Sequence, residues 1–184
     1  MPHVDSDLSA TMRWILKVGN LLDESADVLI CSANPHLTLS GGVGSDALAR
    51  FGPAMQVALS QIVRERSPHY IPRGEIIVYS DDVLPYRAVL HAVAIDGWYD
   101  SSPQIILEIV AKSLGMSAEF GARRVALAAL ATGFGHLSLA EFAEGIRPLI
   151  GREFLPVEEV CICLLEDYLI DELARHLPEA IVVH

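Results

Sequence analysis

Basic residues are scarce in this chain: 13 Lys and Arg stand against 24 Asp and Glu among 184 residues, a formal net charge of -11 at pH 7. That balance opposes adhesion to nucleic acid or to an anionic membrane, so neither is an expected partner. A small phosphorylated ligand is not excluded, because backbone N–H groups and helix ends hold phosphate without a basic patch. Cysteine is scarce too. Cys31, Cys161 and Cys163 sit inside apolar runs, which suits reduced thiols packed as small hydrophobes. Cys161 and Cys163 are two positions apart on a strand-like segment and face one side, but no second Cys or His pair has zinc-site spacing. No metal and no cofactor is expected. No apolar run approaches the roughly 18 residues of a membrane span, and residues 1–7 lack the basic and apolar regions of a secretory signal. A cytoplasmic protein is the expectation.

What is present is apolar. Hydrophobic residues make up 52% of the chain, enough at this length for one domain with a sizeable core. Residues 1–10 read as a flexible leader and 11–184 as a single domain. The apolar run Val28-Leu29-Ile30-Cys31 leads into Ala33-Asn34-Pro35-His36 and then Gly41-Gly42-Val43-Gly44, ahead of a segment with helical spacing. This reads as strand, glycine loop, helix. Glycines so closely spaced cost backbone entropy, so they persist where the chain turns tightly or lets a ligand approach its N–H groups. The stretch Ala131-Thr132-Gly133-Phe134-Gly135-His136 repeats the pattern behind the apolar run 125–130. Two such loops on neighbouring strands are placed to close on one phosphorylated ligand.

Residues 11–18 set Met12, Trp14, Leu16 and Val18 on one face, the period-two pattern of a half-buried strand. Segments 27–32, 75–80, 87–94, 123–130 and 157–164 read as five further strands. Helical spacing covers 45–51, then 54–66 behind Pro53, then the longest helix from Pro103 to about 120. Ser138 and Glu141 form a capping box that opens a helix to about 150, weakened in its last turn by Pro148. A closing helix spans 167–176, and a short apolar tail follows. Together these imply a three-layer α/β/α sandwich with a mixed six-stranded sheet, in which the alternating first strand suits an edge.

Neither common phosphate fingerprint fits the first loop. The nucleotide-triphosphatase pattern needs Lys and then Ser or Thr after its glycines, whereas Gly44 is followed by Ser45-Asp46; Gly-x-Gly-x-x-Gly fails at Ala47. His36 and His136, one in each loop, either meet across the cleft as acid and base or are simply solvated. His91 reads as a core histidine whose ring nitrogens are satisfied. Asp46 reads either as a first-turn charge favoured by the helix dipole or as a catalyst.

In chain order, Gly19-Asn20-Leu21, Asp27-Val28-Leu29-Ile30-Cys31-Ser32-Ala33-Asn34, Gly41-Gly42-Val43, Leu90-His91-Ala92-Val93 and Ala131-Thr132-Gly133-Phe134-Gly135 resemble the macro domain, over about residues 11–165. The resemblance implies the same sandwich, a cleft at the strand ends, and ADP-ribose or a derivative as ligand. It implies that Asn20 stands where the family commonly has an Asp accepting from the adenine amino group, with the Leu21 N–H beside it. Asn34 matches the last residue of the family's Asn-Ala-Ala-Asn run, which addresses the distal ribose; Cys31 stands at the first. Gly41, Gly42, Val43 and Gly44 match the loop that wraps the diphosphate and distal ribose. Thr132, Gly133, Phe134 and Gly135 match the loop that closes over the diphosphate, with Phe134 an apolar wall to a ribose.

Hydrolytic members resemble one another in an Asp directly after Gly-Gly-Val. Gly44 occupies that place here, and Asp46 lies two residues on. Three functions follow as expectations: binding of ADP-ribose, free or on a protein; hydrolysis of an ADP-ribosyl ester with Asn34 and Asp46 as catalytic residues; or an interaction module with a repurposed pocket.

Overall fold

Alternating burial at Met12, Trp14 and Leu16 turns the start of the chain into strand β1, Arg13–Val18, with Arg13 exposed between them. The computed structural model describes residues 11–183, so the expected leader lies outside the described residues. Continuous apolar runs form the buried strands β2, Val28–Ala33, and β4, Ala88–Val93. Strands β3, Ile76–Tyr79, β5, Arg124–Ala128, and β6, Glu159–Leu164, lie where apolar spacing put them. The short tail adds β7, Ile181–Val183.

These strands form one seven-stranded sheet in the order β3-β4-β2-β5-β6-β1-β7, with β3 antiparallel to β4 and the other pairs parallel. The sheet therefore has one strand more than the six expected, because β7 is only three residues long and joins by pairing Ile15 with Ile181 and Leu16 with Val182. That pairing also removes β1 from the edge. Its alternation has another cause: α5 packs on the Trp14 and Leu16 side of the sheet, while α1 covers β2, nearer the centre, leaving Ile15 and Lys17 only half buried.

Helices α1, Gly42–Phe51, and α2, Ala54–Arg64, lie on one face of the sheet. The opposite face carries α3, Pro103–Glu119, α4, Leu139–Ile146, and α5, Asp167–His176. The expected three layers are present. Ser102 caps α3 by accepting the Ile105 N–H at 3.3 Å, and both arms of the Ser138–Glu141 capping box form at α4. Pro148 falls where α4 gives way to the 3-10 turn Arg147–Leu149, since its ring and missing N–H do not suit a continuing α-helix. Helix α1 begins three residues earlier than spacing placed it, so Gly42, Val43 and Gly44 form its first turn. The carboxyl ends of β1, β2, β4 and β5 consequently open onto one rim, where open α/β sheets bind ligands.

Helices α3 and α4 meet closely at Gly145, where a Cβ would lie 2.6 Å from the Pro103 carbonyl oxygen and 2.7 Å from Ile106 Cβ. Gly115, within α3, faces open space. Gly145→Ala should therefore lose about 1–3 kcal/mol of stability through overpacking, whereas Gly115→Ala should gain up to about 1 kcal/mol from helix propensity. Urea unfolding of the two variants checks the opposite signs.

Candidate functional site

The loop after β2 is held by one side chain. Asn34 Oδ1 accepts the N–H groups of His36 at 3.0 Å and Thr38 at 3.3 Å, and its Nδ2 donates to the Thr38 carbonyl at 2.9 Å. This is the local cross-linking that Asn favours in turns. It fixes Leu37, buried and at φ 51°, as the loop's anchor in the core. Gln56 of α2 reinforces the fold by accepting the Leu39 N–H at 2.7 Å. Gly41 and Gly42 then turn the chain into α1 at φ 64° and 49°, values that favour glycine.

Among the described residues the N–H groups of Gly42, Val43 and Gly44 meet no acceptor, as expected for the first turn of a helix. The second loop leaves the same kind of vacancy. Ala131, at φ 65°, starts a tight turn in which its carbonyl accepts the Leu137 N–H at 3.2 Å, and a side chain at Gly135 would collide with that same carbonyl. Thr132 folds inward, its Oγ1 donating to the Ala129 carbonyl at 2.8 Å. The N–H groups of Gly133, Phe134 and Gly135 find no acceptor among the described residues.

The two loops touch. The Phe134 ring lies so close to the Gly41 α-carbon that any side chain at Gly41 would strike it, yet the ring remains 72% exposed. A positive helix end and a second run of unsatisfied N–H groups thus share one mouth with an aromatic side chain across it. Such an arrangement suits a diphosphate beside an apolar sugar face.

Asn20 caps the 3-10 turn Leu21–Asp23, its Oδ1 accepting the Leu22 N–H at 2.9 Å. Its Nδ2 donates to Asp46 Oδ2 at 2.8 Å, which joins the turn after β1 to the second turn of α1. Leu21 is buried beside it. A Cβ on Gly44 would stand 3.2 Å from the Leu39 α-carbon, so the backbone of this loop packs against the position.

His36 and His136 have different surroundings. His136 Nδ1 lies 3.0 Å from Asp100 Oδ1, and its N–H donates to the Tyr99 carbonyl. Asp96 in turn accepts the N–H groups of Trp98 and Asp100, which holds its carboxyl below the usual carboxylate range, and Arg73 pairs with it at 3.2 Å. Sequence reasoning missed this 96–100 loop. Its only signal was the turn chemistry around Gly97.

Beneath the first loop, Cys31 on β2 and His91 on β4 are register partners on the face covered by α1. They border a cavity of about 10 Å³, room for about one water, together with Ser32, Val43, Gly44 and Ala47. His91 is buried as expected, but its ring is not satisfied: Nε2 has no hydrogen-bond partner among the described residues. Burial lowers its pKa to about 4 and pushes the Cys31 thiol up to about 12. Both groups are thus neutral at physiological pH, which is not the state of an activated thiolate. Among the described residues one group has metal-ligand spacing, Glu24 with Cys161 and Cys163, and it involves the turn after β1 and strand β6, not the two loops.

Residues 30–146 match the family model described as Macro domain. A macro domain-containing protein of Streptomyces griseus is 29% identical over 151 residues, spanning 80% of this chain and 85% of that protein. An O-acetyl-ADP-ribose deacetylase of Cronobacter sakazakii is 30% identical over 155 residues, spanning 81% and 85%. Among solved structures, a variant of the Oceanobacillus iheyensis macrodomain with ADPR superposes with a TM-score of 0.77 at 19% identity, covering 89% of this chain and 91% of that one.

The buried neutral histidine sets a pH dependence. The unfolded chain takes up a proton near the ordinary value of 6.5 while folded His91 resists until about 4, so its contribution is intact above 6.5 and lost as pH falls towards 4. Between pH 7 and pH 5 the protein should lose about 2 kcal/mol more stability than His91→Leu. Urea midpoints at the two pH values measure the difference.

Proposed function

The chain belongs to the macro domain family, and from that premise we propose that it binds ADP-ribose, free or attached to a protein side chain, across the mouth of the two glycine loops. One observation carries the reading: two runs of N–H groups without acceptors among the described residues, at Gly42–Gly44 and at Gly133–Gly135, brought together by the contact between Phe134 and Gly41. With a net charge of -11 the protein gains nothing from its overall field in holding a diphosphate. Local N–H groups and the start of α1 take that part. Phe134 offers its exposed ring to a ribose, and Asn34 acts through the loop that its side chain organises.

The adenine end works differently from the family pattern. Both polar atoms of the Asn20 amide are engaged, one by Leu22 and the other by Asp46. Asp46, anchored through a single carboxylate oxygen and exposed, keeps lone pairs for a purine amino group. In this reading the charge absent at position 20 is restored from α1.

Hydrolysis of an ADP-ribosyl ester is the second reading, favoured by the 30% identity to a deacetylase. Gly44 supplies no carboxylate for it, and the hydrogen bond from Asn20 keeps Asp46 at the adenine end. Calorimetric titration with ADP-ribose and with AMP separates the roles. The wild type should bind ADP-ribose at least tenfold more tightly than AMP, and Asp46→Asn should weaken both ligands by a similar factor, about 1 kcal/mol or more. Silence towards ADP-ribose removes the binding reading. Turnover of O-acetyl-ADP-ribose that collapses in Asp46→Asn with affinity unchanged would make Asp46 a catalytic residue instead.

A further inference from the structure

Strand β6 carries two thiols that the ligand cleft does not use. Alternation along the strand puts Cys161 and Cys163 on the same face, and their Sγ atoms lie 3.8 Å apart. Their register partners on β1 are Ile15 and Lys17, and on β5 Ala126 and Ala128. The turn after β1 lowers Glu24 onto the same spot, and Lys17 on β1 pairs with its Oε1. The carboxylate oxygen and the two sulfurs all lie within 4.8 Å of one another. Glu24 is 9% exposed and both cysteines are buried, while the Lys17 side chain, at 41%, reaches solvent. This cluster rests on β1, β6 and the turn after β1 and includes neither glycine loop, so it stands or falls independently of the nucleotide reading.

Two uses of a buried dithiol compete, and the strand decides between them. A disulfide needs the sulfurs to close to about 2.05 Å, on Cα atoms usually 4.4–6.8 Å apart. Residues two apart on an extended strand are separated by about 6.6 Å, near the outer limit, and β6 is hydrogen bonded to β1 on one side and β5 on the other, so it has little freedom to pucker. Chelation needs no such movement. Sulfurs bound at about 2.3 Å to a tetrahedral ion stand about 3.8 Å apart, the separation already present.

Charge balance points the same way. The formal charges of the side chains gathered here, two thiols, one carboxylate and one ammonium, sum to zero. A divalent ion that displaces the two thiol protons adds two positive charges and creates two thiolates, so the sum remains zero. We propose that Glu24, Cys161 and Cys163 form a binding site for a thiophilic divalent ion of the zinc and cadmium class, with the exposed side at Lys17 as its entrance and a water or other small ligand completing a tetrahedron. Binding exchanges one ion for two protons, and it ties the turn carrying Asn20 and Leu21 to β6.

The test uses the full-length, tag-free, reduced protein titrated with Cd²⁺ and then competed with Zn²⁺. One equivalent of Cd²⁺ should raise a thiolate-to-metal charge-transfer band, release two protons in weakly buffered solution, and be displaced by Zn²⁺. Cys31→Ser, which leaves both proposed thiols in place, should behave as wild type; Cys163→Ser should lose the band, and Glu24→Gln should bind at least tenfold more weakly. If Cys163→Ser does not fold, the proton count on wild type and the retained band in Cys31→Ser decide the matter. No band, fewer than two protons per ion, a band that survives Cys163→Ser, or one abolished in Cys31→Ser overturns the proposal.

Discussion

A backbone N–H that points at a ligand cannot also be satisfied inside the fold, and among the described residues two groups of them stay free in the glycine loops while side chains beside them bond back to the loop backbone. Asn34 uses its amide oxygen and nitrogen on its own loop, Gln56 holds Leu39, and Thr132 returns its hydroxyl to Ala129. Gly41 and Gly42 supply the positive φ values that deliver the chain into α1 with its first N–H groups exposed. Gly135 permits the close turn against Ala131, and Gly41 permits Phe134 to lie across it. A side chain at Gly41 would fill the space in which the loops meet, and one at Gly135 would strike the Ala131 carbonyl. An acidic protein can therefore offer an anion site without a cluster of Lys or Arg.

Much of this was legible along the chain. The buried strands announced themselves as continuous apolar runs, the capping box located the start of α4 although the helix ends at Ile146 and not near 150, and the glycine loops stood out against a chain otherwise rich in helix and strand formers. The strand at 181–183 was not legible, because three residues carry too little periodicity to separate a strand from a tail. Its omission also misplaced β1, whose alternation suited an edge although β7 lies outside it. The early start of α1 was hidden for a different reason: glycine is a poor helix former in an interior, but a first turn asks less of it.

The partners at the site were the least legible. Asn20 meets Asp46 across 26 positions, His136 meets Asp100 across 36, and Glu24 approaches Cys161 and Cys163 only because β1 and β6 are neighbours. No local pattern encodes such meetings. They also change what the residues mean: Asn34 is first of all the cross-link of its loop, Asp46 is held at the turn after β1, and His91 is an unsatisfied core imidazole beside a thiol that burial keeps protonated.

The central claim, that the free N–H groups of both loops take the ligand's diphosphate, is most directly tested by following the backbone amides of the ¹⁵N-labelled protein in solution as ADP-ribose is added. The account predicts large, saturable shifts at Gly42, Val43, Gly44, Gly133, Phe134 and Gly135, accompanied by shifts around Leu21, Leu22 and Asp46 at the adenine end. Saturable shifts that leave either loop unmoved, or that gather elsewhere on the protein, would contradict it.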